Sequence, residues 1–267
     1  MSGCVGFAAY QIQPKTLLKE KIKAAVFPAE FTLNRILELT RMNQRHIDCE
    51  TRHVEEGAIR EELAAYFLSV PPLAEQTEAQ RTRTRRELRR LSQVETDAVL
   101  QFSGFPRPFS QGDLTGLLTS LLEACRSVAN TAGYPLSVTA LETETPLYAA
   151  FEPRLIQMAA VGLIRAACLS NHHSPVSASL SGSLHAVTLT VTGDSPPADR
   201  QAIELAREVA RLHQGGLAES GGTIGFSIRT TLPRTGGHFT APCTAELLDY
   251  LLSSVQVGLY AFLYNEV

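Results

Sequence analysis

The first clear pattern along the chain is helical. From Phe31 to Val70 there is no proline and a single glycine, and Ile47, Val54, Ala58, Leu63 and Phe67 recur at near-heptad spacing. That composition and period predict a helix. Pro71-Pro72 stops it. After a Leu-Ala-Glu-Gln linker, Thr77 stands as a side-chain cap for a second helix over 78–102, with Leu88, Leu91, Val94, Ala98 and Phe102 on one side. Ser103-Gly104-Phe105-Pro106 ends it. Two long amphipathic helices with a short connection predict an antiparallel hairpin. A lone hairpin leaves its apolar stripe bare, so self-association into a four-helix bundle, and hence a homodimer, is expected.

The texture changes after Pro108. Asp113 to Thr131 reads as a helix carrying Leu114, Leu117, Leu118, Leu121 and Leu122, and Leu136 to Leu141 alternates like a strand. Leu147 to Phe151 is a short extended piece. Glu152 to Leu169 is again helical, with Leu155, Ile156, Ala159 and Leu163 on its apolar face. Val176 to Leu180 and Ala186 to Thr192 read as strands around a Ser-Gly-Ser turn. Ala198 to His213 is an amphipathic helix closed by Gly215-Gly216, and Thr223 to Leu232 is a β-rich run before Pro233. This order predicts an α+β body, a mixed sheet with helices on one face. A Gly-containing linker, Arg234 to His238, precedes a last helix over 244–264, expected to lie on the body or on a partner rather than on lipid. The expected organisation is an N-terminal segment over 1–30, a hairpin over 31–106, an α/β body over 107–233, and a linker with C-terminal helix over 234–267.

Composition narrows the function. The chain of 267 residues is 44% hydrophobic and 19% charged, enough for a sizeable core and against wholesale disorder. Its 24 basic and 27 acidic residues give a net charge of −3, which disfavours a chain-wide polyanion-binding surface. No stretch approaches about 18 uninterrupted apolar residues, so no membrane span is expected. The first residues lack a basic stretch followed by a long apolar run, so no secretory signal is expected. Five cysteines (4, 49, 125, 168 and 243) are widely spaced without a C-x-x-C pair. They read as reduced thiols in a cytoplasmic protein, not as a disulfide framework or zinc site.

Two segments carry a family resemblance. FSQGDLTGLLTSLLEACRSVANTAGYPLSVTALETETPLYAAFEPRLIQMAAVGLIRAA and AIELAREVARLHQGGLAESGGTIGFSIRTTLP resemble, in pattern, the ATPase domain of bacterial sensor histidine kinases. The likeness covers about residues 31–233 when the hairpin is included. It implies a dimerising hairpin followed by a two-layer α/β sandwich of the histidine-kinase ATPase type.

The family's nucleotide-binding positions are altered here. Its Asn-Leu-Leu-x-Asn-Ala pattern falls on Gly162-Leu163-Ile164-Arg165-Ala166-Ala167, so Ala166 stands where the magnesium-holding asparagine would be and offers no ligand atom. Gly193 stands at the adenine-binding aspartate, Asp194 is one residue late, and Ser195 and Pro197 replace the glycines that follow. A one-residue shift at a strand end turns a side chain away. The second glycine motif, which lets backbone amides approach phosphate, falls on Ala202 and Glu204. The loop that would cover a nucleotide is reduced to about Pro196–Arg200. These four departures imply an ATPase fold that no longer holds ATP, so no cofactor and no metal are expected, nor an active ATP-dependent kinase.

The resemblance also implies a phosphoacceptor histidine on the first hairpin helix. His46 and His53 lie there, seven residues apart, and His53, about eighteen residues before Pro71, fits better. It is followed by Val54-Glu55-Glu56, and Glu56 or Glu50 would orient its imidazole. Phosphotransferases of sporulation and of alphaproteobacteria keep such a hairpin with a worn ATPase domain and relay phosphate without ATP. Arg52-His53 is loosely similar to the start of their motif.

Three readings stay open: a non-catalytic, pseudokinase-like binding module for a response regulator or a kinase, a phosphotransferase acting through His53, and an autokinase with an atypical pocket. RTRTRRELRR, Arg81 to Arg90, adds six arginines to the second helix without interleaved aromatics. It reads as a solvated face, and neither nucleic acid nor membrane is expected as a partner. His172-His173 reads as a surface loop.

Overall fold

The structure is a computed structural model and describes residues 57–59, 61–66, 69, 75–102, 109–140, 146–172, 174–231, 238–250 and 252–263. All belong to one compact unit, Thr51–Val267.

Residues 57–59 and 61–66 are helical, followed by α1, Glu78–Phe102. The expected cap at Thr77 is present. Gln80 N–H donates to Thr77 Oγ1 at 3.3 Å, and Thr77 N–H donates back to Gln80 Oε1 at 2.9 Å. This reciprocal pair satisfies two otherwise orphaned donors at the helix start.

The body then runs β1 (Ser110–Asp113), α2 (Leu114–Thr131), β2 (Leu136–Thr139), β3 (Tyr148–Phe151), α3 (Pro153–Asn171), β4 (Val176–Gly182), β5 (Ala186–Thr192), α4 (Arg200–Leu212), β6 (Gly216–Ser220), β7 (Thr223–Arg229) and β8 (His238–Phe239). Five strands form a mixed sheet in the order β2-β4-β5-β7-β6, in which β2 and β4 pair in parallel and the other neighbours are antiparallel. Period-two alternation buries one face. Leu189 sits opposite Leu180 on one side and Phe226 on the other, and Val191 opposite Ala178 and Ile224. All six are 5% exposed or less, under the layer made by α2, α3 and α4. The result is the expected α+β body, a two-layer α/β sandwich.

A smaller sheet, ordered β3-β1-β8, was not legible in the sequence. β1 is only Ser-Gln-Gly-Asp, and its Asp113 doubles as the cap of α2, accepting from Gly116 N–H at 2.9 Å. β6 is also additional. Its start at Gly216 follows a left-handed Gln214 (φ 55°), so the pair Gly215-Gly216 both ends a helix and opens an edge strand.

The last expected helix, 244–264, is broken into α5 (Thr244–Asp249), α6 (Ser254–Gly258) and α7 (Tyr260–Leu263). Tyr250 turns extended at ψ 107°, and Ser253 restarts the helix by accepting from Gln256 N–H at 3.2 Å. The break has a packing reason. Leu247, Val255, Leu259 and Phe262 enter the main core, whereas Leu252 and Val257 enter a second cluster with Ile59, Leu63, Leu88 and Leu91. One straight helix presents a single stripe and does not reach both. The stripe of α1 that the sequence left facing a second copy is therefore covered within one chain: Leu88 is 1% exposed and Leu91 0%.

Candidate functional site

α3 begins where Glu152 accepts from Arg154 N–H at 3.1 Å and Leu155 N–H at 2.9 Å, with Pro153 in the first turn where its missing N–H costs nothing. α4 begins at Asp199, whose Oδ1 accepts from Ala202 N–H at 3.1 Å. The two helices meet closely: a Cβ added to Gly162 would stand 3.7 Å from the Ala202 methyl. At this junction Arg165 reaches out from α3. Its Nη2 donates to Asp199 Oδ2 at 3.0 Å and its Nη1 to the carbonyl of Gly258 at 3.2 Å. The guanidinium also faces the Tyr260 ring, 6.0 Å from the centroid. One arginine thus ties α3, α4 and the C-terminal segment together.

The C-terminal segment lies against α3 at contact distance. A Cβ on Gly258 would approach Val161 Cγ1 to 2.4 Å, so only glycine allows the backbone this close. Ser254 Oγ donates to Gln157 Oε1 at 2.8 Å. On the other wall, α1 is held by an ion pair between the buried Glu95 and Arg154, and Gln201 donates to Asp97 at 3.3 Å. Between these walls lies a cleft of about 210 Å³ bordered by Arg89, Ser92, Met158, Gln201 and Tyr260. Small-molecule sites usually occupy about 300–1,000 Å³.

The positions singled out in the sequence fall as follows. Ala166 is 1% exposed and presents a methyl group. Asp194 is exposed. Its neighbour Gly193 is pressed against Asn171: a Cβ there would stand 2.3 Å from Asn171 Nδ2. Asn171 holds the strand end to α3, donating to Ala167 O at 2.8 Å and Ser195 O at 3.2 Å and accepting from Ser195 N–H at 2.7 Å. Glu204, at the second glycine position, is exposed. It lies on the exposed face of α4 in an ion pair with Arg207, which also binds Glu219 at 2.5 Å. His46 and His53 lie outside the described residues. His172 is an exposed cap of α3 with φ 49°. No group of three or more His, Cys, Asp or Glu side chains suited to a metal occurs among the described residues.

At this junction α3 presents the Ala166 methyl and the Arg165 guanidinium, and Gly258 lies alongside as backbone.

Sequence reasoning passed over Arg165, Asn171, Asp199 and Gly258 as partners. Only Asp199 carried a local signal, an acidic residue directly before a helical run. His213 was also overlooked. It is 3% exposed, its Nδ1–H donates to Val209 O at 2.7 Å, and its Nε2 accepts from Glu152 N–H at 3.1 Å. Burial lowers its pKa, opposed in part by the Val209 bond, and both ring nitrogens are occupied as those of a neutral imidazole. Its ring stacks on Phe109 with centroids 4.7 Å apart.

No family model matches the chain, and no curated protein matches it. Solved structures do. Histidine kinase AdeS of Acinetobacter baumannii is 15% identical with a TM-score of 0.44, over 67% of this chain and 95% of that one. A histidine kinase from Burkholderia phymatum STM815 is 15% identical with a TM-score of 0.38, over 68% of this chain and 91% of that one. The ATP binding domain of PrrB from Mycobacterium tuberculosis is 21% identical with a TM-score of 0.35, over 47% of this chain and 99% of that one. These likenesses concern the fold alone. The chain itself is a mixed sheet under a layer of helices, and no residue's role is carried over from those proteins.

Proposed function

We propose that this protein is a histidine-kinase-like member of a two-component signalling system that works as a binding module for a response regulator or a kinase, without ATP-dependent phosphorylation. The observation that carries the reading is the closure of the α3–α4 junction. Arg165 is committed to Asp199 and to Gly258 O, with the Ala166 methyl one position along. Such a scaffold keeps rigid helices and strands for presenting a surface while offering no cradle for a triphosphate. Calorimetry of the full chain with Mg-ATP tests it: no binding heat is expected, and micromolar affinity would overturn it. Incubation with a phosphorylated receiver domain tests the relay alternative. Label on wild type but not on His53→Ala would replace binding by phosphotransfer.

A homodimer remains part of this proposal, although its original ground, an uncovered stripe at Leu88 and Leu91, is met inside one chain. A monomer mass by light scattering at micromolar concentration would remove it.

A further inference from the structure

The outer face of α1 is strongly basic, with Arg83, Arg86, Arg89 and Arg90 all exposed. Thr84, Leu88, Leu91 and Glu95 form the buried side of the helix. Arg83, Arg86 and Arg90, spaced three and four residues apart, line the opposite side. The Arg86 and Arg90 side chains are 74% and 58% exposed. One carboxylate, Glu87, serves both, at 3.1 Å from Arg86 and 3.8 Å from Arg90. Arg83 lies over the Tyr66 ring, 4.6 Å from its centroid. Arg89 is exposed and makes no ion pair among the described residues.

This arrangement works against the helix that carries it. Like charges at i,i+3 and i,i+4 repel, and Arg81 stands at the end of the first turn of α1, where the helix dipole favours acids. A merely solvated face would be more stable with the signs mixed. Both penalties reverse when anions approach.

We infer that the Arg83–Arg86–Arg90 face of α1 is a docking surface for an acidic patch on a folded protein partner. The charged row is about 10 Å long, from seven residues at 1.5 Å each, the scale of a patch rather than of a nucleic-acid track. The whole chain carries a net charge of −3 with these arginines included, so the molecule outside the row is net acidic and an anionic partner is drawn to the row itself. Guanidinium groups pair with carboxylates in a two-pronged geometry and are enriched at protein interfaces. Arg83, stacked on Tyr66, is already ordered for such contact. The inference does not depend on the closed α3–α4 junction, so nucleotide binding would leave it standing.

The test uses the full chain with poly-L-glutamate as the carboxylate probe and a 20-base-pair DNA duplex as the competing polyanion. The strip variant R83E/R86E/R90E is compared with the charge-matched R126E/R207E/R211E, both checked for wild-type circular dichroism. Poly-L-glutamate is expected to bind wild type and the control similarly, at least tenfold more weakly to the strip variant, and less tightly as salt rises. Absent binding to wild type, equal loss in both variants, or tighter binding of the duplex than of poly-L-glutamate would overturn the inference.

Discussion

Arg165 and Asp199 stand 3.0 Å apart across the meeting point of α3 and α4, and the same carboxylate caps α4 through Ala202 N–H. Asp199→Ala therefore removes a cap and leaves a partly buried guanidinium short of its anion. The expected loss is about 1–3 kcal/mol in urea unfolding, with Asp199→Asn losing less because its amide oxygen still caps.

Gly258→Ala is expected to cost about 1–3 kcal/mol, because the new methyl meets Val161 Cγ1. The two sites are coupled. G258A/V161A should be less destabilised than the sum of the single variants, and simple additivity in the double-mutant cycle would contradict the contact.

Leu91, 0% exposed, packs with Leu63, Leu252 and Val257 of the same chain. Leu91→Ala should cost about 2–5 kcal/mol. Because the covering groups are intramolecular, the loss should be the same at low and high micromolar protein. A loss that grows with concentration would assign the stripe to a second copy.

These contacts show where the sequence was informative. The helices and central strands declared themselves because their periods, 3.6 and two, run long enough to be distinctive, as in Leu114 to Thr131 or Ala186 to Thr192. β1 and β8 did not, since four and two residues carry no period and their pairing is decided by partners far along the chain. The 244–264 run reads as one helix because Leu247, Leu252, Val255, Val257 and Leu259 are all apolar. Which of them faces which cluster is a tertiary fact that splits it at Tyr250. That Ala166 and Gly193 offer no ligand atom from a side chain was legible from identity alone. The closure by Arg165, Asp199 and Gly258 was not, because it joins residues up to 93 positions apart.

His213 makes acid stability measurable. Its folded pKa lies below the ordinary imidazole value, so between that value and the folded one the unfolded chain binds more protons. Stability should be fully present above about pH 6.5 and decline as pH falls through the unfolded pKa, by at most about 1.4 kcal/mol per pH unit. His213→Gln should flatten that slope between pH 7 and 5 while lowering stability at pH 7.

Burial pushes the Cys168 thiol up to about 12 and that of Cys125, with Cys168 beside it, in the same direction. Cys243 is exposed. Peptide mapping after alkylation at pH 8 should find label on Cys243 within minutes and none on Cys125 or Cys168 until denaturant is added. Early label on either buried thiol would mean that the α2–α3 layer opens readily.

β8 enters the chain after the main sheet is complete, yet it closes a sheet begun at Ser110. Phe239 lies edge-on to Phe151 with centroids 5.8 Å apart, and its carbonyl stands 2.9 Å from where a side chain on Gly112 would begin. Trimming the protein after the Leu232-Pro233 pair would strip away that cover, bare the hydrogen-bonding edge of β1 and invite copies to stick strand to strand. The segment after Pro233 thus supplies the strand that covers this edge of β1.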